Sequence, residues 1–164
     1  MEFFTKARGD AQQVKALYHT YFCTYDDKGN LFVDGFNNAG QRALIEFFKG
    51  QSTFTPLALE ADAGWIGGLA WNGQNLLMED PIANKFEPSR PTNAIYVLTI
   101  VSNAATLDQV MPLEGALDVV DFALRGKTVI APDATNENVG YYSYPQGGNP
   151  TKTLRTSTSR WGWH

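Results

Sequence analysis

The stretch from Ile95 to Val101 most limits what this chain can fold into. It reads Ile-Tyr-Val-Leu-Thr-Ile-Val, a nearly continuous run of apolar and β-branched side chains. Because the side chains of a strand point alternately to the two sides of its sheet, a run of this kind is typical of a strand covered on both faces. The sequence therefore predicts a sheet with this segment at its middle.

The dipeptide Asn72-Gly73 predicts a β-hairpin between 66–71 and 74–78, because both residues tolerate the positive φ angles of a type I′ turn. Within 53–60, Pro56 has no N–H to donate to a ladder, which favours an edge strand. Further short strands are predicted at 31–33, 127–131 and 139–144.

Three segments have the residue spacing of amphipathic helices, at about 7–23, 38–49 and 113–125. In the second, Asn38 is a predicted N-cap, and Gly50 follows the last residue at the left-handed position. The apolar residues that recur at three- and four-residue spacing are Val14, Leu17, Tyr18, Tyr21 and Phe22 in the first segment, Leu44, Phe47 and Phe48 in the second, and Leu113, Leu117, Val120 and Leu124 in the third.

Together these elements predict a soluble, single-domain α+β protein, with a mostly antiparallel or mixed sheet of about six to eight short strands and three helices. A chain of 164 residues, 43% of them apolar, is large enough to bury a core of its own. Residues 1–150 are the expected core domain. Residues 151–164 are the expected C-terminal arm, which is aromatic and basic.

The charge of the chain is unevenly distributed. The net charge of −4 argues against nucleic acid or anionic lipid as partners. All seventeen acidic residues precede Asn138, whereas Lys152, Arg155 and Arg160 follow it. The arm is therefore expected to dock on the acidic body of a neighbouring subunit.

The single cysteine, Cys23, excludes an intrachain disulfide and favours a reducing compartment. No stretch reaches the ~18 apolar residues that a membrane span requires. We therefore expect a protein that is cytoplasmic as synthesised, with possible incorporation into a larger particle, and without contact to a membrane.

No motif in the sequence assigns a catalytic residue, a metal or a cofactor. With one cysteine and two histidines, a zinc site of familiar spacing cannot be assembled, and there is neither a phosphate-binding glycine loop nor a nucleophile elbow. His19 and Cys23 share a face of the predicted first helix, but a thiol at a helix end beside aromatic residues is not activated. An enzyme is thus the less favoured class.

Paired carboxylates occur at Glu79-Asp80 and at Asp118 with Asp121. The first pair opens a predicted loop, and the second lies on the polar face of the predicted third helix. Both are interpreted as solvated side chains, since acid–base chemistry requires burial that separates two pKa values.

The order of helix, turn and strand, followed by Gly40-Gln41-Arg42-Ala43-Leu44-Ile45-Glu46-Phe47-Phe48, resembles the opening of the cone-shaped ketosteroid-isomerase-like family over about a third of the chain. The resemblance implies a small enzyme or ligand-binding domain. Aromatic residues such as Trp65, Trp71 and Tyr96 would line its pocket. It assigns no catalytic residue.

The leading functional hypothesis is a non-enzymatic structural or assembly subunit of a larger oligomeric particle, for example a virion or a tail-like machine. Its partners would be copies of itself or other subunits. Low charge density, a surface rich in Asn, Thr and Gly, and the aromatic arm favour this class. The predicted contact residues are Arg155, Arg160, Trp161 and Trp163, which would make head-to-tail contacts able to close into a ring.

Overall fold

The structure, a computed structural model, describes residues 2–3, 12–13, 17–59, 67–81 and 93–155. All the regular secondary structure in these ranges is β-strand. The predicted α+β class is therefore wrong, because the described part of the chain is all-β and none of the three predicted helices is found there.

Twelve of the strands form three antiparallel units of four, which we call the first, second and third meanders. The first meander contains β3 (His19–Tyr25), β4 (Leu31–Phe36), β5 (Arg42–Phe47) and β6 (Thr55–Leu59). The second contains β7 (Leu69–Trp71), β8 (Leu76–Asp80), β9 (Ala94–Val101) and β10 (Ala104–Pro112). The third contains β11 (Ala123–Arg125), β12 (Thr128–Asp133), β13 (Asn138–Ser143) and β14 (Lys152–Arg155). The short strands β1 (Glu2–Phe3) and β2 (Gln12–Gln13) pair with each other.

The first two meanders belong to one eight-stranded sheet that folds back on itself. A short parallel contact joins β6 to β10, pairing Ala58 with Ala104 and Leu59 with Ala105. At the other edge β3 lies alongside β7, so the sheet is nearly closed. The two meanders consequently face each other across a shared core.

Strand β9 confirms the prediction of a central strand covered on both faces. Tyr96 and Leu98 are buried in the core between the first and second meanders, whereas Ile95 and Val97 are buried in the core between the second and third. The chain is thus a stack of three meanders with the second in the middle. Burying each large apolar side chain stabilises the stack by roughly 1.5–3 kcal/mol.

The predicted first helix is replaced by β2 at Gln12–Gln13 and by the edge strand β3 from His19 onward, and its remaining residues before Leu17 lie outside the described part of the chain. Tyr18 and Tyr21, which the helical spacing placed on a buried face, are exposed. Pairing with β4 decides the structure here, since tertiary contacts override a short helical pattern.

The predicted second helix is a hairpin turn followed by β5. The turn is closed by Asn37, whose Oδ1 accepts hydrogen bonds from the N–H groups of Ala39 and Gln41. Leu44 and Ile45 point to opposite faces of the first meander and are both buried. The resemblance to the cone-shaped family rested on a helix here, so it is wrong as well.

The predicted third helix is an irregular segment that ends in β11. Its buried residues recur every third position, which explains the helix-like pattern; they are Leu113, Ala116, Val119 and Phe122. Asn93 holds this segment against the second meander. Its Nδ2 donates to the carbonyl of Ala116, and its Oδ1 accepts from the N–H of Val119.

The Asn72-Gly73 hairpin is confirmed. It connects β7 to β8, with Trp71 paired to Leu76 and with Gly73 at a φ of 97°. The strands predicted at 31–33, 127–131 and 139–144 correspond to β4, β12 and β13. Across the described residues, no helix has the length and apolar character needed to cross a membrane.

Candidate functional site

The third meander has an outer face that points away from the second meander. The inner face buries Val129, Ala131 and Tyr142, so the alternate residues of each strand point outward. These outward residues are Ala123, Arg125, Thr128, Ile130, Pro132, Val139, Tyr141, Ser143, Lys152 and Leu154. They combine an apolar middle with two basic residues and no acid.

The middle of this outer face is incompletely covered. Ile130, Val139 and Tyr141 are half-buried, and Leu154 is 44% exposed. The Lys152 ammonium lies 5.3 Å from the centroid of the Tyr141 ring. An exposed apolar sheet face with a basic margin is a feature of surfaces that dock another protein.

The first meander has an outer face of its own, on the side away from the second meander. Leu31, Val33 and Ile45 are buried there, with Phe47 and Phe54 packed against them. The rings of Phe47 and Phe54 have centroids 5.0 Å apart. Beside this cluster Tyr25, paired with Leu31 on the same face, is 57% exposed and is available for contact with a partner.

A buried cluster of charged side chains lies where the first and second meanders meet. The Arg42 guanidinium reaches from β5 to β8, where Nη1 is 4.0 Å from Oδ2 of Asp80 and Nη2 donates to the carbonyl of Glu79 at 3.4 Å. Tyr96 donates its hydroxyl hydrogen to Asp80 Oδ2 at 3.2 Å. Asp34 Oδ1 accepts a hydrogen bond from the backbone N–H of Phe22. Among the described residues, Arg42 is thus a cation near the three buried carboxyl groups of Asp80, Asp34 and Glu79.

Burial sets the protonation of this cluster. It raises the pKa of Asp34 to about 7, against the lowering effects of the Phe22 N–H and of Arg42. Burial is the main cause that raises the pKa of Glu79 well above its usual range, and the negative charge of Asp80 is the second cause. Among the described residues, both Glu79 carboxylate oxygens and Asp34 Oδ2 lack a hydrogen-bond partner. The cluster accordingly retains protons near neutral pH.

The interpretation of Glu79-Asp80 as a solvated pair is wrong, because both side chains are buried. They belong to β8, where they pair with Ile95 and Ala94, instead of opening a loop. Gly67 makes room for Glu79, since a Cβ at that glycine would overlap the Glu79 carboxylate. Sequence reasoning missed the burial because the run Leu76-Leu77-Met78 was not extended into the acidic residues that follow it.

At the opposite end of the same interface lies an open cleft of about 470 Å³. Its aromatic wall is formed by Phe32 and Trp71, whose rings are nearly parallel with centroids 5.9 Å apart. Trp71 donates its indole N–H to Asp27 Oδ2 at 3.2 Å. The cleft is lined by Asp26, Asp27, Lys28, Asn30, Phe32, Glu46, Phe48, Trp71, Gly73, Gln74, Ile100 and Ser102.

The residues singled out from the sequence fall in different places. Arg155 ends β14 and is exposed, whereas Arg160, Trp161 and Trp163 lie outside the described residues, so their predicted role as contacts stays a prediction. The arm begins as part of the third meander, because β14 pairs with β13.

The predicted aromatic pocket is not formed by Trp71 and Tyr96. Trp71 lines the cleft, whereas Tyr96 is fully buried beside Asp80 at the other end of the interface, and Trp65 lies outside the described residues.

His19 and Cys23 are four residues apart on a strand, which separates them by about 13 Å instead of placing them on one helical face. Burial, together with the Asp34 charge, raises the pKa of the Cys23 thiol. Within the described ranges, no group of three or more His, Cys, Asp or Glu side chains is placed to hold a metal ion.

No protein-family model matches the chain, and no curated protein matches it. The chain shares its fold with solved structures, among them two with propeller or barrel architectures. YCF48 from Cyanidioschyzon merolae is 12% identical with a TM-score of 0.55, covering 84% of this chain and 40% of that chain. A candidate 6-phosphogluconolactonase from Bacteroides uniformis is 12% identical with a TM-score of 0.58, covering 89% of this chain and 46% of that chain. This chain spans less than half the length of either protein.

Proposed function

We propose that this chain is a non-enzymatic assembly subunit that self-associates head to tail. In this arrangement, the outer face of the third meander of one copy packs on the outer face of the first meander of a second copy. The identity of any larger particle, such as a virion or tail-like machine, stays a prediction. The observation that supports the proposal most strongly is the half-exposed apolar middle of the outer face of the third meander.

The stacking order within the chain favours a head-to-tail contact. The second meander packs its two faces on the first and third meanders, through Tyr96 and Leu98 on one side and Ile95 and Val97 on the other. A further meander added to the third would continue the same stack. The first meander of a second copy would be contacted at Tyr25, which is 57% exposed beside the buried cluster of Leu31, Val33 and Ile45.

The similar structures extend beyond the part that this chain matches. This chain aligns over most of its own length with only 40% and 46% of those chains. Repeated head-to-tail contacts close into a ring when the rotation between copies permits it.

Two variants that each block one face test this arrangement. Leu154→Asp places a charge on the third meander, and Tyr25→Asp places one on the first. The two side chains are 44% and 57% exposed, so the fold should persist. Native mass is measured by size-exclusion chromatography with light scattering. We expect each variant alone to be monomeric, and an equimolar mixture to form a dimer through the one interface that both partners leave intact.

Val101→Asp serves as the matched control, since Val101 is 58% exposed but lies in the second meander, on neither outer face. It should leave the mass of the wild-type protein unchanged. A Tyr25→Asp variant that still dimerises alone would show that third meanders pair with each other. If neither Leu154→Asp nor Tyr25→Asp lowers the mass, the proposed surfaces are wrong.

A further inference from the structure

The cleft between the first and second meanders contains a buried carboxyl group with a free oxygen. Glu46 is only 3% exposed, and its Oε2 has no hydrogen-bond partner among the described residues. It lies on the face of β5 that carries Leu44 and points toward the second meander. Leaving a buried carboxylate oxygen unpaired is costly, so this atom marks a position where a donor would be stabilising.

The other two acids of the cleft already have internal partners. Asp26 Oδ1 accepts hydrogen bonds from the N–H groups of Lys28 and Asn30, and its Oδ2 accepts from Asn30 Nδ2. Asp27 Oδ2 accepts from Trp71. These bonds fix the turn and the indole ring. Glu46 is therefore the acid that remains to bind a ligand.

The walls beside Glu46 are apolar. Phe32 and Trp71 form the stacked pair, and Phe48 and Ile100 complete the apolar lining. The formal charge of the lining is negative, since Lys28 is the single base against three acids. A cation with an apolar body matches both properties, because aromatic rings attract ammonium groups as well as apolar surface.

We propose that this cleft binds a small primary amine with an aromatic or other apolar body, and that the ammonium group pairs with Glu46. Two features agree with this ligand class. An ammonium group supplies the missing donor to Oε2, and a flat apolar body extends the existing Phe32–Trp71 stack. The site is independent of the faces proposed for assembly, because it lies between the first two meanders of one chain.

Binding should also release a proton from Glu46. Burial and the Asp26 charge raise the pKa of Glu46, while Lys28 lowers it. An ammonium group beside the carboxylate favours the ionised form and lowers that pKa again. Affinity for an amine should therefore increase as pH rises through the raised pKa of Glu46.

Isothermal titration calorimetry of the full chain with 2-phenylethylamine tests the proposal, with the uncharged 2-phenylethanol as the matched ligand. We expect a dissociation constant below about 1 mM for the amine and at least about tenfold weaker binding of the alcohol. Glu46→Gln should weaken binding of the amine by about tenfold or more and remove its pH dependence. Glu114→Gln, which changes an exposed acid elsewhere, should bind like the wild-type protein.

Three results would overturn the assignment. These are no detectable heat with the amine, equal affinity for the amine and the alcohol, or unchanged affinity in Glu46→Gln. Because removing a buried charge can alter the fold, the circular dichroism spectrum and melting temperature of Glu46→Gln are compared with those of Glu114→Gln. Tryptophan fluorescence gives a second readout. Binding beside the Trp71 indole should change the emission of the wild-type protein, and this change should be absent from Trp71→Phe.

Discussion

The side chains of Asn72 and Tyr144 join the second and third meanders through a 2.6 Å hydrogen bond from Asn72 Nδ2 to the Tyr144 hydroxyl. The same Asn72 closes its own hairpin, since its Oδ1 accepts from the N–H groups of Gln74 and Asn75. Tyr144 in turn packs against the core between the two meanders. One amide side chain therefore sets both a local turn and a contact between layers.

Tyr144→Phe removes the hydroxyl and keeps the ring. We expect a loss of about 1 kcal/mol in the free energy of unfolding, because Asn72 Nδ2 loses a partner in a partly buried place. Urea unfolding followed by circular dichroism measures it. The matched variant Tyr18→Phe, at an exposed tyrosine, should have no measurable effect. Equal effects of the two changes would contradict a role for the hydrogen bond.

Arg42→Met should destabilise the protein by about 3 kcal/mol or more. Arg42 is a cation beside the buried carboxyl groups of Asp80, Asp34 and Glu79, and its removal takes away positive charge that stabilises them in a place where water cannot replace it. Urea unfolding at neutral pH measures the change. Lys127→Met removes an exposed cation and should change stability by less than about 0.5 kcal/mol. A loss in Arg42→Met as small as that would contradict the account.

The stability of the wild-type protein should fall as pH rises from about 4 to about 7. Asp34 has a pKa of about 7 in the folded protein, against 3.8 for an ordinary aspartate, so the folded state binds a proton that the unfolded state has released. At about 1.4 kcal/mol per pKa unit, this group accounts for up to about 4 kcal/mol. Above pH 7 its contribution is lost.

Asp34→Asn should flatten this pH dependence. Urea unfolding at a series of pH values gives the two curves, and their difference isolates Asp34, because Glu79 and the oppositely shifted Asp133 titrate in both proteins. We expect the variant to gain stability relative to the wild-type protein as pH rises. Parallel curves would show that Asp34 is ionised in the folded state at neutral pH.

Gly35→Ala should detach β3 from β4. A Cβ at Gly35 would overlap the backbone carbonyl of His19, so the two strands cannot keep their separation. Hydrogen exchange should show loss of protection in the amides of His19–Tyr25. Gly40→Ala strains a turn residue with a φ of 71° but meets no atom within 4 Å, so it should leave that protection intact. Retained protection in Gly35→Ala would contradict the packing.

The strands that could be predicted from the sequence are those whose structure is determined by residues close together in the chain. Asn72-Gly73 determines its own turn geometry, and the run Ile95 to Val101 is too apolar for a strand with an exposed face. The three predicted helices failed because apolar residues at three- and four-residue spacing also occur in short strands and irregular segments. Leu44 and Ile45 are adjacent in sequence and buried in different cores, a distinction that depends on which layers lie on each side of β5.

The candidate sites were harder to predict than the strands, because their residues are brought together by contacts between distant parts of the chain. Glu46 is separated in sequence from Trp71, and Arg42 from Asp80, so their association follows from the stacking of the first two meanders. The expectation of self-association came from composition, whereas the surface now proposed for it came from strand register. Lys152 and Leu154 of the predicted arm belong to that surface through their pairing with Tyr141 and Val139.

The most direct test of the assembly proposal is the native mass of the full-length protein, measured by size-exclusion chromatography with light scattering over a range of concentrations. We predict a discrete species of at least twice the 18.1 kDa mass of the chain, which dissociates on dilution. A mass of 18.1 kDa at every concentration would contradict head-to-tail self-association through the outer faces of the first and third meanders.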